Sequence, residues 1–168
     1  SEHRKVADGR YADWSPDGRQ IAYECYANGI EMLCTLDLAN PEADPVILTE
    51  GAAARWSPTN EIIAYSHSGG IYVINSNGTV KYLISEYAKF VSWSPDGNWI
   101  LYSKWSANEN GWMLYIARSD GSQQRRISNP YPETYLLYVQ WSPDSSRIIG
   151  SFYDDQEYYR DIILIVLN

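Results

Sequence analysis

Trp14-Ser-Pro-Asp-Gly-Arg-Gln-Ile-Ala-Tyr23 recurs as Trp56-Ser-Pro-Thr-Asn-Glu-Ile-Ile-Ala-Tyr65 and as Trp93-Ser-Pro-Asp-Gly-Asn-Trp-Ile-Leu-Tyr102. A last copy, Trp141-Ser-Pro-Asp-Ser-Ser-Arg-Ile-Ile-Gly150, ends in Gly where the others have Tyr. Each copy reads as a turn followed by a strand. Pro16 presets φ for the first corner of the turn, Asp17 bonds nearby amides, and Gly18 takes the positive φ that a Cβ resists. Asn60 fills the Gly position in the second copy and Ser145 in the fourth, Asn being the more tolerant of the two.

Outward from these turns, every copy carries a third strand: Leu33 to Asp37, Ile71 to Asn75, Leu114 to Arg118 and Ile162 to Val166. The first three add a short fourth strand at Val46 to Thr49, Lys81 to Ile84 and Arg125 to Ser128. Asn28-Gly29, Gly69-Gly70 and Asp120-Gly121 supply hairpin turns between them. Helical periodicity is absent. Four strands recurring every ~40–45 residues is the pattern of a β-propeller blade. Runs such as Ile62-Ile63-Ala64 and Ile100-Leu101 are apolar on both faces, as a blade between two other blades requires. The expectation is an all-β, single-domain propeller over 1–168, with repeats near 10–50, 51–86, 87–129 and 130–168 plus 1–9.

The phase of the copies predicts how the ring closes. Gly9 precedes Trp14 by the spacing at which Gly51 precedes Trp56, so residues 1–9 read as an outer fourth strand. The last copy lacks such a strand, and Val6 would pair with it near Ile162 to Val166. Four blades of four antiparallel strands would then close into a ring with no exposed edge. A fragment of a larger ring, or two chains building one, shares this phase.

Composition narrows the function. Net charge is −8, which argues against nucleic acid and against an anionic membrane surface. The longest apolar run, Ile162 to Leu167, is too short to span a bilayer, and no signal peptide is expected in this chain. Two cysteines exclude a disulfide-dense scaffold and a four-cysteine zinc site. The unusual feature is 7 Trp and 15 Tyr against 2 Phe, rings that carry a polar handle.

The repeat resembles that of TolB-like propellers: Trp-Ser-Pro-Asp-Gly, an apolar strand, then an Ile-Tyr-Val type strand ending in Asp-Gly. Ile71-Tyr-Val-Ile-Asn-Ser-Asn-Gly78 and Leu114-Tyr-Ile-Ala-Arg-Ser-Asp-Gly121 match its second half. The resemblance covers essentially the whole chain. It implies a protein-binding propeller or the gating propeller of a serine peptidase, in the periplasm or at the cell surface, on rings commonly of six blades. This chain departs from that with four copies.

Chemistry is sparse. No Gly-x-Ser-x-Gly elbow is present, and the histidines, His3 and His67, are isolated. No cofactor and no metal is expected. Asp154, Asp155, Glu157 and Asp161 crowd one loop, where a solvated acidic loop is the default and calcium the alternative. Cys25 and Cys34 flank a hairpin. A turn at Asn28-Gly29 would oppose Cys25 to Met32, whereas a turn one residue later would oppose the two cysteines. Asn77-Gly-Thr79 is a glycosylation sequon and equally an Asn-Gly turn.

Loop length points to a binding face. Lys104 to Gly111, Phe152 to Arg160 and the connector Asn129 to Tyr135 read as three long loops on one face. They bring Trp105, Trp112, Tyr131, Tyr135, Tyr153, Tyr158 and Tyr159 as candidate partner-binding residues. A non-catalytic module for a protein partner is the first expectation, and a carbohydrate-binding propeller the second. Asp13, Arg55, Ser92 and Gln140, each preceding a repeat Trp, are the candidate channel lining, with an Asp13–Arg55 ion pair. Ala12, Ala54, Val91 and Val139 would pack between blades, and Trp14 and Trp93 would be core.

Overall fold

The computed structural model describes residues 3–40, 42–79, 81–129, 134–154 and 160–167, and all side chains there except those of 134–138, 152–154, 160 and 161. Four antiparallel sheets follow one another along the chain. The first holds β1 (Arg10–Trp14), β2 (Gln20–Ala27), β3 (Ile30–Asp37) and β4 (Val46–Glu50). The second holds β5 (Ala52–Trp56), β6 (Ile62–His67), β7 (Gly70–Asn75) and β8 (Lys81–Glu86). The third holds β9 (Ala88–Trp93), β10 (Trp99–Ser106), β11 (Gly111–Arg118) and β12 (Arg125–Arg126). The fourth holds β13 (Thr134–Trp141), β14 (Arg147–Asp154) and β15 (Arg160–Val166).

The repeated turn is held by its serine, which sequence reading passed over. In the first copy the Ser15 hydroxyl donates to Asp17 Oδ1 (2.7 Å) and accepts the Gln20 N–H (2.9 Å), while Asp17 Oδ1 accepts the Arg19 N–H (3.0 Å). Ser94 with Asp96 and Ser142 with Asp144 repeat all three bonds. Gly18, Gly97 and Ser145 take positive φ, as the turn demands. Asn60 does not, a departure from its sequence reading. With Thr59 in the Asp position the bond pattern is lost, and Asn60 Nδ2 bonds Thr59 Oγ1 instead. Each innermost strand also carries a register shift, with Tyr11, Ala53 and Phe90 at positive φ within the first three.

The core is made of junctions. Trp56, Ile63, Tyr65 and Ile74 pack on Ala22 and Leu33 of the first sheet. Trp93, Ile100 and Tyr102 pack on Ala64, Ile71 and Val73 of the second. Trp141 and Ile148 pack on Leu101, Leu114 and Ile116 of the third. Polar groups are paired across the second junction, where Tyr102 Oη donates to Gln124 Oε1 (3.0 Å) and Gln124 Nε2 to the Ile84 carbonyl (2.7 Å). Burial pushes the Tyr102 hydroxyl up to about 12.

Ring closure through the N-terminus is not observed. Among the described residues the fourth sheet has three strands, and no apolar cluster joins the first sheet to the fourth. Ala7 instead lies against Tyr23, Cys25, Cys34 and Leu36 of the first sheet, so Val6 does not pair with β15. The glycine spacing has a different cause. A Cβ on Gly9 would stand 2.6 Å from the Tyr23 ring, and one on Gly51 2.5 Å from the Tyr65 ring. Those glycines let the chain cross over a tyrosine and say nothing about an outer strand.

The openness also corrects two core assignments. Trp14 and Ala12 are exposed, because among the described residues no other sheet covers them, whereas Trp93, Ala54, Val91 and Val139 are buried. Cys25 and Cys34 form a disulfide with Cα atoms 5.9 Å apart, although the Asn28-Gly29 turn opposes Cys25 to Met32 and Tyr23 to Cys34. The bridge is therefore diagonal, between residues on the same face of the hairpin.

Candidate functional site

The aromatic face of the third blade is built on strands, not on a loop. β10 and β11 continue to Ser106 and from Gly111, leaving a turn at residues 107–110. The long loop read at Lys104 to Gly111 is thus mostly hairpin. Trp105 opposes Trp112 across that hairpin, with ring centroids 5.6 Å apart at 62°. Lys89 Nζ sits 3.8 Å from the centre of the Trp112 ring, a cation–π contact. The Trp105 N–H donates to the Tyr87 carbonyl (2.9 Å), and Ser103 Oγ to the Lys89 carbonyl (2.7 Å). Arg126 Nη1 bonds both carboxylate oxygens of Glu109, tying the turn to β12. Trp105 and Tyr87 remain exposed on this fixed platform.

Lys89 also borders a groove of about 490 Å³ shared with Glu31, Glu50, His67 and Ser68. Next to it, Arg10 pairs with the buried Glu24 and with Glu31, and its guanidinium lies 5.4 Å from the Tyr11 ring and 5.8 Å from the Tyr26 ring. Lys89 therefore belongs both to the aromatic pair and to a groove that carries charge of both signs. Tyr87, Lys89, Glu31 and Glu50 were missed in the sequence because only loop length was weighed. They lie at strand ends and in short connectors, and only pairing brings them together.

Of the other candidate rings, Tyr135 and Tyr153 are directly opposed on β13 and β14. Their side chains, and Tyr131, Tyr158 and Tyr159 altogether, lie outside the described residues. Residues Phe152 to Asp154 and Arg160, read as loop, are strand. Most of the acidic loop also falls outside the described residues. Among the described residues no cluster of three His, Cys, Asp or Glu side chains could hold a metal ion.

Asp13, Arg55 and Ser92 converge on one hollow of about 240 Å³, flanked by Trp56 and Trp93. The expected Asp13–Arg55 ion pair is not formed. Asp13 Oδ2 accepts the Trp56 backbone N–H (2.7 Å), and Arg55 Nη1 donates to the Ala54 carbonyl (2.8 Å). Gln140 is exposed. His67 Nε2 lies 3.0 Å from Ser68 Oγ on an exposed turn. None of the described bonds joins His67 to a carboxylate, so this pair lacks the orienting group of a nucleophile triad.

With the geometry in place, the fold class is clear: four consecutive antiparallel sheets of the TolB-like β-propeller type. The chain superposes on TolB from Acinetobacter baumannii with a TM-score of 0.68 and 17% identity, covering 96% of this chain and 44% of that one. An oligogalacturonate lyase from Vibrio parahaemolyticus matches with a TM-score of 0.68 and 11% identity, over 92% of this chain and 53% of that one. Acylaminoacyl peptidase matches with 0.62 and 14%, over 95% and 32%. The chain spans about half the length of the first solved structures it matches, from 44% to 58%. No family model and no curated protein matches it. At these identities the likeness establishes the fold, on which binding proteins and enzymes alike are built.

Proposed function

We propose that this chain is a non-catalytic binding module of the TolB-like type that presents the Trp105–Trp112 face to a protein partner. The observation that carries this reading is the exposed Trp105 beside Trp112, backed by Lys89 and Tyr87 and bordered by the charged groove. Tryptophan and tyrosine bury large area at low entropy cost, and a ring already fixed by strand pairing loses little freedom on binding. The Cys25–Cys34 bridge favours an oxidising, extracytoplasmic compartment.

The test presents the chain to a cell-envelope protein fraction and to a glycan array. A protein ligand should bind, and Trp105→Ala or Trp112→Ala should weaken it by about 30-fold or more, equivalent to about 2 kcal/mol at a hot spot. Arg19→Ala, on the far turn, should leave it unchanged. A glycan signal lost in Trp112→Ala would transfer the site to carbohydrate. Binding indifferent to both tryptophans would overturn the reading.

A further inference from the structure

The first and third sheets carry the same set of positions beside the groove, filled differently. Arg10 opposes Glu24, and Lys89 opposes Ser103. Two residues further along the second strand, Tyr26 opposes Glu31, and Trp105 opposes Trp112. Each cation is followed by a residue at positive φ, Tyr11 (54°) and Phe90 (58°), so the local backbone agrees as well. The second sheet has Ala52 opposite Ser66 at the cation's place.

In the first sheet the set is complete. The Arg10 guanidinium pairs with Glu24, which is buried, and with Glu31, and it lies 5.8 Å from the Tyr26 ring. Its charge is met by two carboxylates and a ring. In the third sheet only the ring is present, with Lys89 Nζ 3.8 Å from the centre of Trp112. Ser103 replaces the buried carboxylate, and its hydroxyl is engaged by the Lys89 carbonyl (2.7 Å). Trp112 replaces Glu31. Among the described residues Lys89 has no ion pair. An ammonium carries three N–H donors, and a ring face satisfies only one side of it. Lys89 is exposed and lines the groove.

We propose that Lys89 receives a single carboxylate, an Asp or Glu side chain of the protein partner, while Trp105 and Trp112 pack on the same segment. This rests on the reading of the tryptophan face as a protein-binding surface and supplies the chemistry of the contact. The first sheet shows the occupied form of the set, with Glu31 in the part of the ligand. A carboxylate that meets Lys89 where aromatic rings exclude water gains more than an exposed surface pair does. Nearby charge limits the ligand to one such group. Glu50, without an ion pair among the described residues, borders the same groove, and the whole chain carries −8. A polyanion is repelled there, whereas one acidic side chain in an otherwise neutral or basic segment is not.

Selection from a phage-displayed library of random peptides on the full chain tests this. The wild type should enrich apolar peptides that carry one Asp or Glu, and Lys89→Arg should enrich the same ones. Lys89→Glu should exchange the acid for Lys or Arg. Changing the acid of a selected peptide to its amide should weaken binding to the wild type about tenfold, and binding to Lys89→Gln by less than about twofold. Lys104→Gln, on the other face of β10, should leave both values unchanged. Lys89 is exposed, so circular dichroism should show every variant folded. Peptides that need Trp105 and Trp112 but share no acidic position overturn the carboxylate and leave the binding face in place. Peptides indifferent to both tryptophans overturn the binding face itself, and the carboxylate with it.

Discussion

The first and second sheets present nearly the same residues to the same side, and they fare differently. The second sheet offers Trp56, Ile63, Tyr65 and Ile74, all buried against its neighbour. The first offers Trp14, Ile21, Tyr23 and Leu36 at the same register positions. Here Trp14 is exposed, and the rest are covered by a disulfide and by Ala7 of the N-terminal segment. Cys34 pairs with Tyr23 where Tyr72 pairs with Tyr65, so the bridge occupies the site of a ring contact. Burial in this architecture belongs to the junction, not to the residue. On the first sheet a disulfide and Ala7 lie against this face, where the second sheet has the first as its neighbour.

The largest expected effect breaks the comparison at its tryptophans. Trp93→Ala should lower stability by about 3–5 kcal/mol, as a large cavity at a closed junction does. Trp14→Ala should stay within about 0.5 kcal/mol in denaturant unfolding of the isolated monomer, as exposed positions do. Equal losses would mean that the first face is covered in the monomer after all.

A smaller effect sharpens the comparison at the bridge. Replacing Cys25 and Cys34 by Ser should cost the monomer about 2–3 kcal/mol, the scale for a short loop with a separation of 9. The loss should show in the first sheet, measured as faster hydrogen exchange in β2 and β3 than in β6 and β7. Uniform exchange across both sheets would deny the bridge its local role.

The smallest effect separates the turns. Hydrogen bonds from the Arg19 amide and the Ser15 hydroxyl hold the Asp17 carboxyl below its usual range. Those from Ser142 and Ser146 bring Asp144 down to about 2. A depressed carboxyl contributes stability above its unfolded value of about 4, and that contribution is lost as pH falls toward the folded value. Stability should therefore fall between about pH 4 and pH 2, and Asp144→Asn should flatten part of that slope. The second turn has Thr59 in the Asp position and should add nothing to it. Carbon-detected titration of the aspartates checks both statements.

Much of the fold was legible in the residues because the repeat states it four times. The third strands began earlier than read, at Ile30, Gly70, Gly111 and Arg160, since pairing extends a hairpin to its turn whatever the side chains. Of the candidate site, Trp105 and Trp112 are brought together, but as a cross-strand pair in place of loop tips. Lys89 escaped notice because its place over Trp112 depends on β9 pairing with β10, which is invisible in a single strand.

By itself the sequence determined what is local and repeated. Trp-Ser-Pro-Asp-Gly fixed the turns, alternation fixed which residues face a neighbour, and Asn-Gly set the hairpin of the first sheet. Tertiary structure alone decided what is relative. Whether Trp14 is core or surface depends on a blade being docked against it, and its three counterparts differ from it only in that. The disulfide became visible only with the two strands placed, because it joins diagonal and not opposed positions. The place of the N-terminal segment has the same origin: Gly9 serves the ring of Tyr23, so the segment around it lies against the first sheet and not against the fourth.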